Sequence, residues 1–194
     1  MDIETLTEEI RAYCEAHLSE KRYAHSVRVA EMCSEICELS GYDTKKGYLC
    51  GIAHDICKEI DHDEMKRIVE NSEYPVTPSD LQKVSLMHGK AGAVFIKEHF
   101  GVDDPDVLYA IAYHVCGRSD FGILGKALFV ADKNEKGRPH VMKDPDFVKN
   151  LYTNSVDDMF YYTLKASYEY QVNKPGFIIM DDTMEVVRAL GIAQ

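Results

Sequence analysis

Four ionisable residues stand where the surrounding sequence is apolar. His54 and Asp55 interrupt the stretch Gly51-Ile-Ala-His-Asp-Ile, the most apolar part of an apparent helix. A buried, unpaired carboxylate costs on the order of several kcal/mol, so something cationic must lie against Asp55. For an isolated His-Asp pair an arginine or lysine would suffice. His25, in Arg22-Tyr-Ala-His25-Ser-Val, and Asp132, closing Leu128-Phe-Val-Ala-Asp132, change that balance. Two imidazoles and two carboxylates from three different helices meet only in the core of a bundle, which is how helical folds build metal sites. Mixed nitrogen and oxygen donors suit iron, manganese, cobalt, nickel or zinc without singling one out.

Further residues fit the same picture. His114 interrupts the apolar face Ala110-Ile-Ala-Tyr-His114, and His88 precedes Gly89 at a helix start. Each could be a hydrogen-bonded core histidine. The functional reading puts both near the metal, as phosphate donors or as ligands of a second ion. Arg22 lies three residues before His25, on the same helix face, and can clamp phosphate in a bidentate way that lysine cannot match. Arg138 follows Asp132 in a loop and can approach from the other side. Lys58 comes about one turn after Asp55, and solvated surface charge explains it equally well. His17, His62, His99 and His140 read as ordinary surface residues.

The elements that must position these groups read as helices throughout. Apolar spacing and caps predict helices over 3–18, 20–40, 44–57 and 61–71, with Ser19, Asp43 and Asp61 as caps and Gly41 as a stop. Pro75 and Pro78 make 74–78 a loop. Helices are expected from His88 to Gly101, over 105–115 and over 123–132, with loops at 116–122 and 134–144. A long tyrosine-rich helix over 145–172 and a last one near 182–190 complete an all-α chain with no strand. The expectation is a single domain, with the bundle core over about 18–135 and a helical extension over 145–194. Tyr152, Tyr161, Tyr162, Tyr168 and Tyr170 are expected to serve packing first.

Composition limits the partners. With 194 residues, 45% hydrophobic and 28% charged, the chain can bury a core without covalent staples. The net charge of −11 and the lack of a basic stripe argue against polymeric nucleic acid. A small polyanion is still acceptable, because a metal and a few cations can govern one pocket. The six scattered cysteines, without a CxxC pair, read as free thiols of a reducing cytoplasm. The acidic start MDIETLTEEI has no signal-peptide character, and no apolar run is long enough to span a membrane.

The order His25…His54-Asp55…Asp132 resembles the HD superfamily of metal-dependent phosphohydrolases. More narrowly, four stretches resemble the YqeK family: Arg22-Tyr-Ala-His25-Ser-Val-Arg-Val-Ala, Gly51-Ile-Ala-His-Asp-Ile-Cys-Lys58, Met87-His-Gly-Lys-Ala-Gly-Ala93 and Val130-Ala-Asp-Lys-Asn-Glu-Lys-Gly-Arg138. The likeness covers about residues 6 to 172. A His-Asp dyad alone is a weak signal; the ordered set is a specific one. That family comprises bacterial symmetrical bis(5′-nucleosyl)-tetraphosphatases, which split diadenosine tetraphosphate into two ADP. The resemblance implies iron ligands at His25, His54, Asp55 and Asp132, and nucleotide contacts at Arg22, Asp55, Lys58, His88, His114 and Arg138. It also extends to dimers, so the long helix could face a partner chain.

Three departures bear on the substrate. Where the family usually has threonines and glycine after its counterpart of His114, this chain has Val115-Cys116-Gly117. The family's Ala-Asp-Lys-Ile-Glu-Pro becomes Ala131-Asp-Lys-Asn134-Glu-Lys136, and its C-terminal proline-threonine segment is loosely echoed by Asp181-Asp-Thr183. The mechanism implied is attack of a metal-activated water on an inner phosphate, with Asp55, His88 and His114 as catalytic groups. Two alternatives stand beside it. One is HD chemistry on another nucleotide, such as a nucleoside monophosphate or an alarmone; the other is a non-catalytic nucleotide-binding regulator with a coordinatively closed, structural metal.

Overall fold

The computed structural model describes residues 2–144 and 146–193. Among them the chain forms α1 (Ile3–His17), α2 (Glu20–Leu39), α3 (Thr44–Ala53), α4 (His62–Glu70), α5 (Pro78–Gln82), a 3-10 turn (Val84–Met87), α6 (His88–Phe100), α7 (Pro105–Tyr113), α8 (Ile123–Asn134), α9 (Pro139–Lys143), α10 (Phe147–Leu151), α11 (Val156–Val172) and α12 (Asp181–Ala189). The all-α expectation holds, and the described residues contain no strand.

Local chemistry sets the boundaries. The side chains of Asp2, Ser19, Asp43, Asp61, Asp104 and Ser155 accept hydrogen bonds from backbone N–H groups in the first turns they cap. Thr77 and Asp80 form a reciprocal capping box with Pro78 at the first helical position, so a short helix follows the expected 74–78 loop. Gly101, at φ 68°, ends α6 in the left-handed conformation that glycine adopts without penalty.

Several ends differ from expectation. The helix expected over 44–57 stops at Ala53, and the chain continues in tight turns in which Ile56 N–H donates to Ala53 and Lys58 N–H to Asp55. The helix expected over 105–115 stops at Tyr113, and the loop expected over 134–144 contains α9. The long helix expected over 145–172 divides into α10 and α11, its first position lying outside the described residues. The Asn154 amide donates to the carbonyls of Asn150 and Leu151 while Ser155 caps the next helix. Such side chains compete with the helical ladder and favour a break.

The core is built on α2, α3 and α8, with α7 and α11 packed on α8 and with α1 and α6 at the flanks. Two close approaches decide where the ionisable residues meet. A Cβ on Gly51 would lie 2.3 Å from Ala30 Cα, so α3 rests directly on the backbone of α2. A Cβ on Gly89 would lie 2.8 Å from the Ile111 carbonyl oxygen and 3.1 Å from His114 Nδ1, so the start of α6 abuts the end of α7. All six cysteines are buried and unpaired. No helix among the described residues is long and apolar enough to cross a membrane.

The contact at Gly51 predicts a specific sensitivity. Gly51→Ala must push α3 off α2, and overpacking of this kind costs about 1–3 kcal/mol or more. Thermal or urea unfolding should show that loss, whereas a variant as stable as the wild type would contradict the packing described.

Candidate metal and phosphate site

His25 sits mid-helix on α2, and His54 and Asp55 follow α3 where the helix ends. His88 opens α6, His114 follows the last turn of α7, and Asp132 lies in the last turn of α8. The bundle brings all six together. His25 Nε2 is 3.1 Å from Asp132 Oδ1 and 3.8 Å from Asp55 Oδ2. His54 Nε2 is 3.4 Å from Asp55 Oδ2 and 3.7 Å from Asp132 Oδ1. His88 Nε2 is 3.1 Å from Asp55 Oδ1, and His114 Nε2 is 3.2 Å from His88 Nε2. Asp55 thus turns one oxygen to His25 and His54 and the other to His88 and His114.

The histidines are oriented by their other ring nitrogen. Nδ1 lies 2.7 Å from the Gly51 carbonyl in His54, 2.7 Å from the Ser85 carbonyl in His88 and 2.8 Å from the Ile111 carbonyl in His114. A carbonyl only accepts, so each Nδ1 carries a hydrogen. The Nε2 atom of His54 is left buried with no hydrogen-bond partner. A buried imidazole nitrogen without a hydrogen-bond partner, aimed at two carboxylates, is the donor arrangement of a metal centre, and this donor set fits a divalent cation. Candidate ligand atoms of His25, His54 and Asp55 all lie within 4.8 Å of one another, and so do those of Asp55, His88 and His114.

Over this floor opens a pocket of about 240 Å³, lined by Arg22, Asp55, Lys58, His88, His114, Val115, Asp132, Lys133 and Arg138. All six residues expected to touch nucleotide are among them. Arg22 Nη1 donates to Asp55 Oδ2 at 2.7 Å, and Arg138 Nη2 donates to Asp132 Oδ1 at 2.8 Å. Lys58 Nζ is 3.2 Å from His88 Nδ1, so it belongs to the pocket rather than the open surface. His17, His62, His99 and His140 are exposed, as expected. The tyrosines of the C-terminal helices do not line this pocket; Tyr152 donates to Glu35, and Tyr162 and Tyr170 are exposed.

Sequence reasoning passed over three contributors. Lys133 Nζ donates to Asp132 Oδ2 at 2.9 Å and to the His114 carbonyl at 3.0 Å, tying α8 to α7. Glu135, buried, places Oε1 3.1 Å from His25 Nδ1. Lys90, fully buried, donates to Asp80 at 2.6 Å and to the Pro75 carbonyl at 2.9 Å, pinning the 75–82 segment to the turn of α6 that carries His88. The motif Ala-Asp-Lys-x-Glu-x-x-Arg contained the first two, but in a polar run they look solvated. Lys90 sits in a helix whose burial is fixed only by tertiary packing.

Electrostatics follow from this crowding. Burial would raise the Asp55 carboxyl, yet the imidazoles of His54 and His88 hold it well below the usual carboxylate range. Asp132 is likewise held well below that range, because Lys133, His25 and Arg138 outweigh burial. Burial pushes His88 and His114 down, His114 strongly. Burial also opposes charge on His25, but its bonds to Asp132 and Glu135 win and raise it. Burial lowers Lys58.

The comparisons with known proteins agree with this geometry. A profile of the HD domain family matches residues 22–136, more than half of the chain. The chain is 33% identical over 171 residues to a Staphylococcus aureus protein named bis(5′-nucleosyl)-tetraphosphatase, symmetrical, the match covering 86% of each. A Bacillus subtilis protein of the same name is 32% identical over 167 residues, 86% of this chain and 88% of the relative. A crystal structure from Clostridium acetobutylicum, described as a predicted HD superfamily hydrolase involved in NAD metabolism, superposes with a TM-score of 0.84 at 29% identity, covering 94% of this chain and 95% of that one. The chain belongs to the HD domain family, and it is an enzyme of the phosphohydrolase class.

Acid should destabilise the metal-free protein in a definite direction. Asp55 and Asp132, depressed when folded, stabilise above their ordinary range and lose that contribution as pH falls toward their folded values. Glu135, brought down to about 2 from 4.5 against burial by His25 and Arg28, behaves likewise. His25, raised when folded, contributes in the opposite sense, fully at low pH and less as pH rises through its folded value. Three carboxylates against one imidazole predict a lower Tm at about pH 3.5 than at about pH 6. An unchanged or higher Tm at the lower pH would contradict the linkage.

Proposed function

We propose that the chain hydrolyses diadenosine tetraphosphate symmetrically to two ADP, with iron held by His25, His54, Asp55 and Asp132. Manganese, cobalt, nickel and zinc share the same donor preferences. One observation carries the reading: every residue expected to touch nucleotide lines a single basic pocket directly above the histidine and aspartate cluster. The names of the relatives from S. aureus and B. subtilis support the same substrate.

When bound, the ion would lower the pKa of a water and polarise a phosphoryl oxygen. The chain's own residues supply the rest. His88 and His114 face each other through Nε2 at 3.2 Å, each with its Nδ1 hydrogen held by a carbonyl, so one proton at most fits between them. The pair lies beside Asp55 Oδ1, where it is placed to take a proton at Nε2. This acid–base role joins the two expected for His88 and His114, phosphate donors or ligands of a second ion. Asp55 orients the water whose proton the pair takes.

Arg22, Lys133 and Arg138 counter the phosphate charge. Each now pairs with Asp55 or Asp132, and neutralisation of those carboxylates by the ion would free the guanidinium groups for phosphate. Water adds at an inner phosphorus, the bridging P–O bond breaks, and the leaving oxygen departs with ADP.

A second substrate reading keeps one supporting observation. Val115 lines the pocket where the resemblance leads one to expect threonine, whereas Asn134 is buried and turned toward Thr163. A nucleotide panel scored for phosphate release tests that reading.

Protein loaded with iron or manganese should convert diadenosine tetraphosphate into ADP as the only nucleotide product. Arg22→Ala should keep its metal, since the ion would itself meet the charge of Asp55 that Arg22 pairs with, and raise KM about tenfold or more through loss of a phosphate contact. Release of ATP plus AMP, or no turnover with any of these ions, would reject the proposal.

A further inference from the structure

Four imidazoles converge on the two aspartates, and all four have Nδ1 tied down. Three use the carbonyl three residues earlier: His54 uses Gly51, His88 uses Ser85 and His114 uses Ile111. Each of those three stands at or beside a helix terminus, where carbonyls lack an intrahelical partner. His25 cannot do the same. It lies inside α2, Glu20–Leu39, where the carbonyls behind it are taken by the helical ladder. Its Nδ1 must find a partner outside its own helix, and that partner is Glu135, across the bundle at 3.1 Å.

Glu135 is itself held with care. Its Oε2 accepts from Arg28 Nε and from the Gly137 backbone N–H, each at 2.5 Å, and Arg28 Nη2 reaches Oε1 at 3.4 Å. The carboxylate is buried, with a side-chain exposure of 3%. Arg28 lies three residues after His25 on the same face of α2, so helix α2 supplies both the imidazole and the clamp for its partner. Nothing in the expected ligand or substrate set calls for a buried glutamate here.

We infer that Glu135, clamped by Arg28, is the positioning residue of the metal site: it fixes the hydrogen of His25 on Nδ1 and aims Nε2 at the ion. The inference rests on the metal reading proposed above and extends it to a residue that touches neither metal nor nucleotide. A carboxylate behind a ligating histidine also makes that imidazole a stronger donor, and loss of such a partner typically costs about 10- to 100-fold in metal affinity. Glu135→Gln keeps an acceptor for Nδ1 but loses the charge. Glu135→Leu loses both.

Zinc serves as the probe, titrated against a chromophoric chelator near neutral pH, with wild type and His54→Ala as the limits. Affinity should fall about tenfold in Glu135→Gln and about 100-fold in Glu135→Leu, with Arg28→Met between wild type and Glu135→Leu. Hydrolysis at saturating metal should recover toward wild type in Glu135→Gln, which separates positioning from catalysis. Zinc affinity of Glu135→Leu within about threefold of wild type overturns the inference and leaves the metal reading standing. Failure of wild-type protein to bind zinc overturns both. Should the leucine variant not fold, nitrogen NMR of the zinc-loaded wild type decides. A protonated Nδ1 and a metal-shifted Nε2 at His25 support the assignment, and the reverse pattern overturns it.

Discussion

Two carboxylates brought face to face in the interior of a helical bundle are the constraint on which this structure depends. Asp55 is buried, Asp132 is nearly so, and both are held in their charged form. Leaving either charge uncompensated would cost about 3–5 kcal/mol. Much of the surrounding chemistry answers that cost. Arg22 pairs with Asp55, Lys133 and Arg138 pair with Asp132, and imidazoles fill the space between. These cations offset the two buried charges and line the pocket above them. A chain of net charge −11 thereby presents a locally basic pocket.

The backbone serves the same end. Two glycines allow two pairs of elements to touch without intervening side chains, and those contacts set α3 on α2 and α6 on α7. Helix ends are used as deliberately as helix faces. His54 and His114 stand just beyond a terminal turn and His88 opens a helix, so unspent carbonyls fix their rings. Where the site needs an imidazole from within a helix, a carboxylate just past the end of α8 takes the place of the carbonyl.

Much of this was legible in the sequence. His25, His54, Asp55 and Asp132 each break an apolar run, and that mismatch between residue and neighbourhood is visible without coordinates. Helix starts were legible because their caps are local chemistry. What stayed hidden depends on tertiary packing. Glu135 and Lys133 lie in a polar run that resembles a solvated loop, and only the bundle turns them inward. Lys90 and Asp80 look like surface charges, yet they form a buried pair. The break before α11 was missed because hydrophobic periodicity continues across it, while the side chains of Asn154 and Ser155 satisfy the backbone in other ways.

Membership of the HD domain family accounts for the bundle and for the class of reaction. The central claim is that two imidazoles and two carboxylates share one cation. X-ray absorption at the metal edge of the loaded protein tests it most directly. The account predicts a first coordination sphere of nitrogen and oxygen with the multiple-scattering signature of two or more imidazoles, lost when His25 and His54 are both replaced. A sphere of oxygen alone, or a spectrum unchanged by that double replacement, would contradict it.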